Sequence, residues 1–192
     1  MKITVLSGAD KNFSELQDIT SKTLLDYCVY QNYELIIKEF HSTERPTSWY
    51  KIPEIIQCLK NGSDFVLWID ADAIIVNKNI RIESFIENGK DFYFANNYIG
   101  INCGVMLFRN SPLILNFLAD IWNQTDYIYH MWWENGAIMD YLKNKSFPPE
   151  KLKMLDESVF NSPFYWKGCF IHHLWGTPLT ERIRVFRSLV EG

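Results

Sequence analysis

The chain has 192 residues, of which 47% are hydrophobic, 22% charged and 16% aromatic, and its formal net charge is -4. This length and composition are typical of one globular domain with a sizeable core. The slightly acidic balance, without a Lys/Arg cluster, disfavours nucleic acid as the main partner. No apolar run reaches the roughly 18–20 residues that a membrane span needs.

The cysteines and the N-terminal segment indicate a cellular compartment. The four cysteines are widely spaced and form no CxxC pair, which disfavours a disulfide framework or a zinc site. The first ten residues, MKITVLSGAD, have neither the apolar core nor the cleavage site of a signal peptide. We therefore expect a cytoplasmic protein with reduced thiols.

The first 72 residues alternate between strand-like and helix-like patterns. Apolar runs predict strands at Lys2–Gly8 and Tyr33–Phe40, and helical spacing predicts a helix over Ser14–Tyr30. A second helix is predicted from Ile52 and ends at Gly62. The next segment, DFVLWIDADAIIV, is typical of a central strand in a parallel sheet. This strand–helix order predicts the nucleotide-binding half of an α/β sheet, over residues 1–72.

The second half is more mixed. DFYFANNY and GINCGVMLFRN are strand-like, and Ser111-Pro112 begins a helix. WWENGAIMDYL and the amphipathic TERIRVFRSLV predict two more helices, and CFIHHLWG predicts a short strand or turn. No repeat or linker divides the chain, so we predict a single α/β domain over residues 1–192, with a mostly parallel central sheet flanked by helices.

Two carboxylates, Asp70 and Asp72, follow the apolar strand at the edge of the sheet where ligands bind. On an extended backbone, side chains two residues apart project to the same side. Like charges this close repel unless a cation lies between them, and Mg²⁺ and Mn²⁺ prefer oxygen ligands. The pair therefore predicts a divalent metal site. The alternative is that Asp70 caps a turn and Asp72 is solvated.

Four motifs in this order resemble a family of nucleotide-sugar glycosyltransferases with the GT-A fold, which contains fungal Golgi galactosyl- and mannosyltransferases and plant xyloglucan xylosyltransferases. DFVLWIDADAIIVN resembles the D-x-D strand, and IGINCGVMLFRNS resembles the stretch N-[ST]-G-x-[FML]-L-[FL]-R-N. WWENGAIMDYL lies where the family has an acidic helix start, and FIHHLWG matches F-x-x-H-x-x-G. The resemblance covers about two thirds of the chain and implies a Rossmann-like GT-A domain, with residues 73–192 as the sugar and acceptor half.

The resemblance implies a metal ligand set. Asp70, Asp72 and His173 would hold Mn²⁺, or Mg²⁺, against the diphosphate of a donor such as a UDP-hexose. Asp72 is the more direct ligand and takes part in catalysis, and Asp70 also reaches the ribose. His172 is the second choice for the imidazole ligand, because the F-x-x-H register selects its neighbour. A packed histidine without a ligand is the alternative for either ring.

On the sugar side, the resemblance implies roles for residues in the middle motifs. Glu134 is the candidate carboxylate near the donor sugar and the reacting face, and Asn135 would contact the sugar or the acceptor. Asn102 would hydrogen-bond sugar hydroxyls, and Gly104 would allow the backbone to approach the sugar closely. The alternatives are a solvated glutamate at a helix start and a tight bend in a strand. Cys103 departs from the Ser or Thr of the family.

On the nucleotide side, Ser7, Gly8 and Ala9 end the first predicted strand and would contact the nucleoside by their backbone. Lys51 lies where related enzymes place a basic residue near the diphosphate, with an ordinary surface lysine as the alternative. Gly176 closes the last motif and is assigned to the donor site. Three tryptophans flank the motifs and are candidates for an acceptor platform, namely Trp132, Trp133 and Trp175.

The implied reaction is transfer of a sugar from a nucleoside diphosphate to a hydroxyl of a glycan, protein or small molecule, with retention of anomeric configuration. Glu134 is the candidate nucleophile if the reaction forms a covalent intermediate. One alternative is a phosphatase of the haloacid-dehalogenase type that uses Asp70 and Asp72, although Ile74 lies where that motif has Thr or Val. A second alternative is a sugar- or nucleotide-binding domain without catalysis.

Overall fold

The computed structural model describes residues 1–41, 44–144 and 147–192. The strands in these residues are β1 (Ile3–Asp10), β2 (Glu34–Phe40), β3 (Phe65–Ile69), β4 (Ala73–Ile75), β5 (Phe92–Asn96), β6 (Ile101–Arg109), β7 (Leu152–Leu155) and β8 (Ile171–His173). The α-helices are α1 (Ser14–Gln31), α2 (Lys51–Lys60), α3 (Pro112–Trp122), α4 (Trp133–Lys143), α5 (Glu157–Phe160) and α6 (Leu179–Glu191). None of these described helices has both the length and the apolar character needed to cross a bilayer.

The central sheet has the strand order β2-β1-β3-β6-β5-β7. β1 is parallel to β2 and β3, β5 is parallel to β7, and β6 is antiparallel to both of its neighbours. Within this described sheet β6 is therefore the strand that runs against the other five. The predicted α/β class with a mostly parallel sheet is confirmed. The division into two halves at residue 72 stays a prediction.

β3 lies in the middle of the sheet and is buried along its whole length. Its alternating side chains enter two hydrophobic cores on opposite faces. Val66 and Trp68 pack with α2 and α3, whereas Phe65, Leu67 and Ile69 pack on the side of α1. The continuous apolar run is explained by helices on both faces, and the carboxyl end of β3 carries the two aspartates directly out of the core.

The backbone after β3 differs from the prediction. The segment from Asp64 is two strands rather than one, because β3 ends at Ile69 and a turn follows in which the N–H of Ala73 donates to the carbonyl of Asp70 at 3.1 Å. The expectation of an extended backbone between Asp70 and Asp72 is therefore wrong. The turn starts β4, which pairs antiparallel with β8 and aligns Ala73 with His173.

The first strand is also longer than predicted. β1 continues through Gly8 to Asp10, so Gly8 does not end it. A Cβ at position 8 would lie 2.4 Å from the ring of Phe40, which means that the absence of a side chain makes room for this aromatic ring. Ser7 consequently lies inside the strand, paired with Ile37 of β2, and not at its end.

Candidate functional site

A cavity of about 760 Å³ opens at the carboxyl ends of β1 and β3. Every residue that the sequence assigned to catalysis, metal or donor lines it, with the exception of Ser7. The side chain of Ser7 is buried, and its hydroxyl has no partner among the described residues. The structure therefore brings the other eleven assigned residues together around one cavity, namely Gly8, Ala9, Lys51, Asp70, Asp72, Asn102, Gly104, Glu134, Asn135, His173 and Gly176.

The three predicted metal ligands are neighbours. One ligand atom each of Asp70, Asp72 and His173 lies within 4.8 Å of the other two. The pairing of β4 with β8 produces this arrangement, because it places His173 beside the turn that carries Asp72. Nε2 of His173 lies 3.1 Å from Oδ1 of Asp72, and the imidazole is buried.

The donor set fits a divalent cation. Nδ1 of His173 lies 2.9 Å from Oδ1 of Asn161, and Nε2 lies 3.1 Å from Oδ1 of Asp72. In the tautomer that donates from Nδ1 to Asn161, Nε2 turns its lone pair towards the carboxylate of Asp72. Two acceptors that face each other need a cation between them or a second proton on the ring. A histidine whose far nitrogen donates to an oxygen is the usual geometry of a metal ligand, and two carboxylates with an imidazole suit Mn²⁺.

His172, the second choice for the imidazole ligand, lies outside the cavity. Its Nδ1 is 3.1 Å from the carbonyl oxygen of Ser162, and its ring packs edge-to-face against Tyr165 and Phe186. Burial lowers the pKa of His172, against a smaller opposite effect of the bond to Ser162. The alternative of a packed histidine therefore describes His172, and His173 is the ring that faces the aspartates.

Lys51 is buried and not the surface lysine that was the alternative in the sequence. Its Nζ lies 2.8 Å from Oδ1 of Asp70, 3.0 Å from Oε1 of Glu134 and 3.3 Å from the carbonyl oxygen of Cys103. Burial by itself lowers the pKa of Lys51, but Asp70 and Glu134 raise it above its ordinary value. A lysine at this depth requires such partners. Lys51 therefore joins the predicted metal side of the cavity to the predicted sugar side.

Asp70 is fixed by two donors that use the same oxygen. Besides Lys51, the indole Nε1 of Trp68 donates to Oδ1 at 2.6 Å. The N–H of Asp70 donates to the carbonyl of Gly104 at 2.8 Å. Lys51 and Trp68 both donate to Oδ1 of Asp70 and not to Oδ2. The carboxylate is therefore oriented, and Oδ2 stays available for a ligand.

Glu134 reaches the cavity from the first turn of α4. Its Oε1 pairs with Lys51, whereas its buried Oε2 has no partner in the described part of the chain. Trp133 precedes it with φ = 42°, a left-handed conformation that is costly for a bulky residue and that occurs often at functional sites. A buried carboxylate oxygen without a donor is the expected state of a group that a ligand hydroxyl completes.

Two asparagine side chains fix the backbone of β6 at the site. Oδ1 of Asn135 accepts from the N–H of Cys103 at 2.8 Å, and Oδ1 of Asn102 accepts from the N–H of Gly104 at 2.9 Å. The second bond lies where the register of β6 against β5 shifts, within a strand that continues from Ile101 to Arg109. A Cβ on Gly104 would lie 2.0 Å from Cε1 of His173, so the group that approaches this glycine closely is the imidazole.

Sequence reasoning missed Arg182. This residue lies in the first turns of α6, lines the cavity, and places a guanidinium nitrogen 2.8 Å from Oδ2 of Asp72. Burial raises the pKa of Asp72, but the neighbouring His173 and Arg182 outweigh this effect and hold the pKa below its ordinary value. The amphipathic pattern predicted the helix, but it contained no signal that one of its arginines reaches an aspartate of the site.

The outer part of the cavity is aromatic. Trp132 and Trp133 are 40% and 45% exposed and line it together with Trp175. The ring of Trp175 packs against Tyr98 with centroids 5.8 Å apart, and its indole N–H is buried without a partner among the described residues. The three tryptophans that the sequence singled out are therefore at the cavity and not in the core.

Solved glycosyltransferase structures share this fold, and two of them illustrate the likeness. A glycosyltransferase involved in the glycosylation of the major capsid of PBCV-1 is 21% identical, with a TM-score of 0.83 over 98% of this chain and 100% of that chain. A mutant of Drosophila β1,4-galactosyltransferase 7, in complex with manganese, UDP-Gal and xylobiose, is 10% identical, with a TM-score of 0.55 over 95% and 74%. These likenesses confirm the predicted GT-A fold.

A curated relative is similar in sequence. The probable alpha-1,2-galactosyltransferase gmh1 of Schizosaccharomyces pombe is 31% identical over 88 residues, which are 43% of this chain and 27% of that protein. The chain spans less than half the length of the curated relatives it matches. This similarity agrees with the resemblance found in the motifs. Residues 25–172 match the family described as "Protein of unknown function, DUF273", and since this is more than half of the chain, the chain belongs to the DUF273 family.

Proposed function

We propose that this chain is a metal-dependent glycosyltransferase that moves a sugar from a nucleoside diphosphate to a hydroxyl acceptor. The observation that carries the proposal is the approach of Asp70, Asp72 and His173 to within 4.8 Å of one another at the cavity of a GT-A fold. These residues would hold Mn²⁺ or Mg²⁺. Such an ion, when bound, supplies the positive charge that stabilises a leaving diphosphate.

The donor we propose is a UDP-hexose. The cavity volume, about 760 Å³, falls in the range of sites for ligands of this size. Its lining includes Ala9, Asp10 and the aromatic residue Phe13, a set that suits a nucleoside. The Drosophila enzyme with the same fold was crystallised with manganese and UDP-Gal, and the similar fission-yeast protein is a probable galactosyltransferase. The cytoplasmic location stays a prediction.

The residues of this chain divide the chemical work. Oε2 of Glu134, which lacks a donor among the described residues, accepts a hydrogen bond from the donor sugar and stabilises positive charge at its anomeric carbon. Lys51 supplies the countercharge that makes a buried carboxylate tolerable at this place. We expect retention of configuration, with Glu134 as the nucleophile if a covalent intermediate forms. The aromatic outer part supports a sugar as the acceptor.

The two alternatives differ in their support. The phosphatase alternative is not favoured, because this chain shares its fold over nearly its whole length with solved glycosyltransferases. A binding domain without catalysis would need the same metal ligands and the same cavity. Turnover of a donor separates the binding domain from the enzyme.

The test is a screen of UDP- and GDP-sugars for hydrolysis in the presence of MnCl₂, with the wild-type chain and Asp72→Asn. We expect one donor to be consumed, and the rate to fall at least about 100-fold in the variant. Asp26→Asn is the matched control, because Asp26 is an exposed aspartate paired with Lys78 and should keep the wild-type rate. If no donor is consumed although UDP binds with Mn²⁺, the chain is a binding domain and the enzyme proposal is wrong.

A further inference from the structure

The described lining of the cavity contains one lysine, Lys51, and one arginine, Arg182. The ammonium group of Lys51 has three hydrogens, and three acceptors surround it, from Asp70, Glu134 and Cys103. Lys51 is 3% exposed. It therefore has no donor left for a substrate phosphate, although the sequence assigned it to the diphosphate.

Arg182 has unused donors. One of its terminal nitrogens contacts Oδ2 of Asp72 at 2.8 Å, while its Nε is buried without a partner among the described residues. A guanidinium carries five N–H donors in a rigid plane that matches a phosphate, and leaving a buried one unpaired is costly. A buried, unpaired N–H beside the metal ligands is the kind of group that an anionic ligand completes.

Asp72 contacts two groups, one through each carboxylate oxygen. Oδ1 faces His173 and Oδ2 faces Arg182. A divalent ion that takes Asp72 as a ligand meets the guanidinium at the same carboxylate, and two cations at one carboxylate repel each other. A diphosphate beside the ion offers the guanidinium new acceptors of higher charge.

We propose that Arg182 is a diphosphate-binding residue that exchanges partners: it neutralises Asp72 in the empty site and hydrogen-bonds the diphosphate when metal and nucleotide are bound. The inference rests on the proposed function, since it requires that a metal and a nucleoside diphosphate bind here. It assigns to Arg182 the role that the sequence gave to Lys51. It also makes Arg182 a competitor of the metal in the absence of nucleotide.

The exchange predicts opposite effects of one substitution. In Arg182→Gln the competing cation is absent, so Mn²⁺ alone should bind about 3- to 10-fold more tightly. The same variant loses a charged contact to the diphosphate, so UDP in saturating MnCl₂ should bind at least about 10-fold more weakly. A residue that only supports the local structure would weaken both.

The experiment measures binding and not turnover. Mn²⁺ affinity is taken from the electron paramagnetic resonance signal of free Mn²⁺, and UDP affinity from isothermal titration calorimetry in saturating MnCl₂. Arg184→Gln is the matched control, because Arg184 is an exposed arginine on the same helix, paired with Glu181, and both of its affinities should equal those of wild type. Arg182→Lys serves if the glutamine variant does not fold: lysine keeps the charge but loses the fork, so UDP should bind more weakly with little change for Mn²⁺.

The outcomes separate this inference from the proposed function. If the wild-type chain binds neither Mn²⁺ nor UDP, the proposed function fails and the inference fails with it. Suppose that the wild-type chain binds both ligands. The inference then fails, while the proposed function stands, if Arg182→Gln binds UDP as tightly as wild type does. It also fails if this variant binds Mn²⁺ more weakly than wild type in the absence of UDP. Tighter binding of Mn²⁺ together with weaker binding of UDP in Arg182→Gln supports both the inference and the proposed function.

Discussion

Gly104 and the imidazole of His173 occupy adjoining space, because a Cβ on the glycine would lie 2.0 Å from Cε1 of the ring. The ring is buried and contacts Asn161, so it can make room for a Cβ only by leaving its present position. Gly104→Ala should therefore displace His173 from Asp72. We expect Mn²⁺ affinity to fall at least about 10-fold and the free energy of unfolding to fall by about 1–3 kcal/mol, measured by calorimetric titration and urea unfolding.

Gly62→Ala provides the control for this prediction. Gly62 has φ = 91°, and no atom lies within 4 Å of the position of its Cβ. Alanine there costs about 1–2 kcal/mol through its left-handed backbone, at a place away from the cavity, so stability should fall while Mn²⁺ affinity stays. Full Mn²⁺ affinity in Gly104→Ala would mean that His173 is not a ligand.

Lys51 is the buried cation that compensates two carboxylates. In Lys51→Met, Asp70 and Glu134 would face each other without the ammonium that now lies 2.8 Å and 3.0 Å from their oxygens. Removing one partner from a buried charge cluster costs about 3–5 kcal/mol. The free energy of unfolding, measured in urea without metal, should fall by this amount, and Glu134→Gln in the same chain should recover part of the loss.

The control for Lys51→Met is Lys38→Met, because Lys38 pairs with Glu54 at the surface. A pair of this kind contributes about 0–1 kcal/mol, so the variant should unfold close to wild type. Lys51 does not compensate these carboxylates in solution if Lys51→Met lowers the free energy of unfolding no more than Lys38→Met does. The same conclusion follows if adding Glu134→Gln to Lys51→Met lowers the free energy of unfolding further.

The cluster of Asp70, Asp72 and His173 could be predicted from the sequence, and its surroundings could not. Asp70, Asp72 and His173 stand in short motifs whose register identifies them, and the apolar strand before Asp70 fixes the edge of the sheet where they lie. Burial of Lys51 depends on Asp70 and Glu134, which are distant in sequence, and lysine is among the residues least often buried. Residue type alone therefore favoured a position at the protein surface for Lys51.

The contact of Arg182 with Asp72 could not be predicted from the sequence for a related reason. The amphipathic pattern predicts α6, and it distinguishes the apolar stripe from the charged face. It does not say which residue on that face meets a distant loop. The contact between Arg182 and Asp72 arises because α6 packs on α1 through Phe186 and through ion pairs such as Arg187 with Glu15. Only the tertiary structure determines this docking.

His172 should make stability depend on pH. Burial lowers its pKa below the ordinary value of 6.5, so as pH falls the unfolded chain takes up this proton before the folded chain does. The contribution of His172 is fully present above pH 6.5 and is lost as pH falls from there towards its folded pKa. In urea unfolding with EDTA between pH 7 and pH 5, His172→Asn should therefore lose less stability than wild type.

Asparagine suits this substitution because its amide can replace Nδ1 as the donor to the carbonyl of Ser162. His41→Asn, the substitution of an exposed histidine, is the matched control for the change of residue type. An unchanged pH dependence in His172→Asn would show that this ring is protonated equally in the folded and unfolded chain.

The aromatic outer part of the cavity should affect the acceptor and not the donor. Trp132 lines the cavity and is 40% exposed, so Trp132→Ala removes a flat apolar surface and little core packing. Loss of one ring contact corresponds to about a 3- to 10-fold rise in the KM of the acceptor, with hydrolysis of the donor unchanged. Transfer to a panel of methyl glycosides, with the donor that the screen identifies, measures both. Phe164→Ala removes an exposed ring that does not line the cavity, so it should change neither the KM of the acceptor nor the hydrolysis of the donor. An equal fall of hydrolysis and transfer in Trp132→Ala would place this tryptophan at the donor instead.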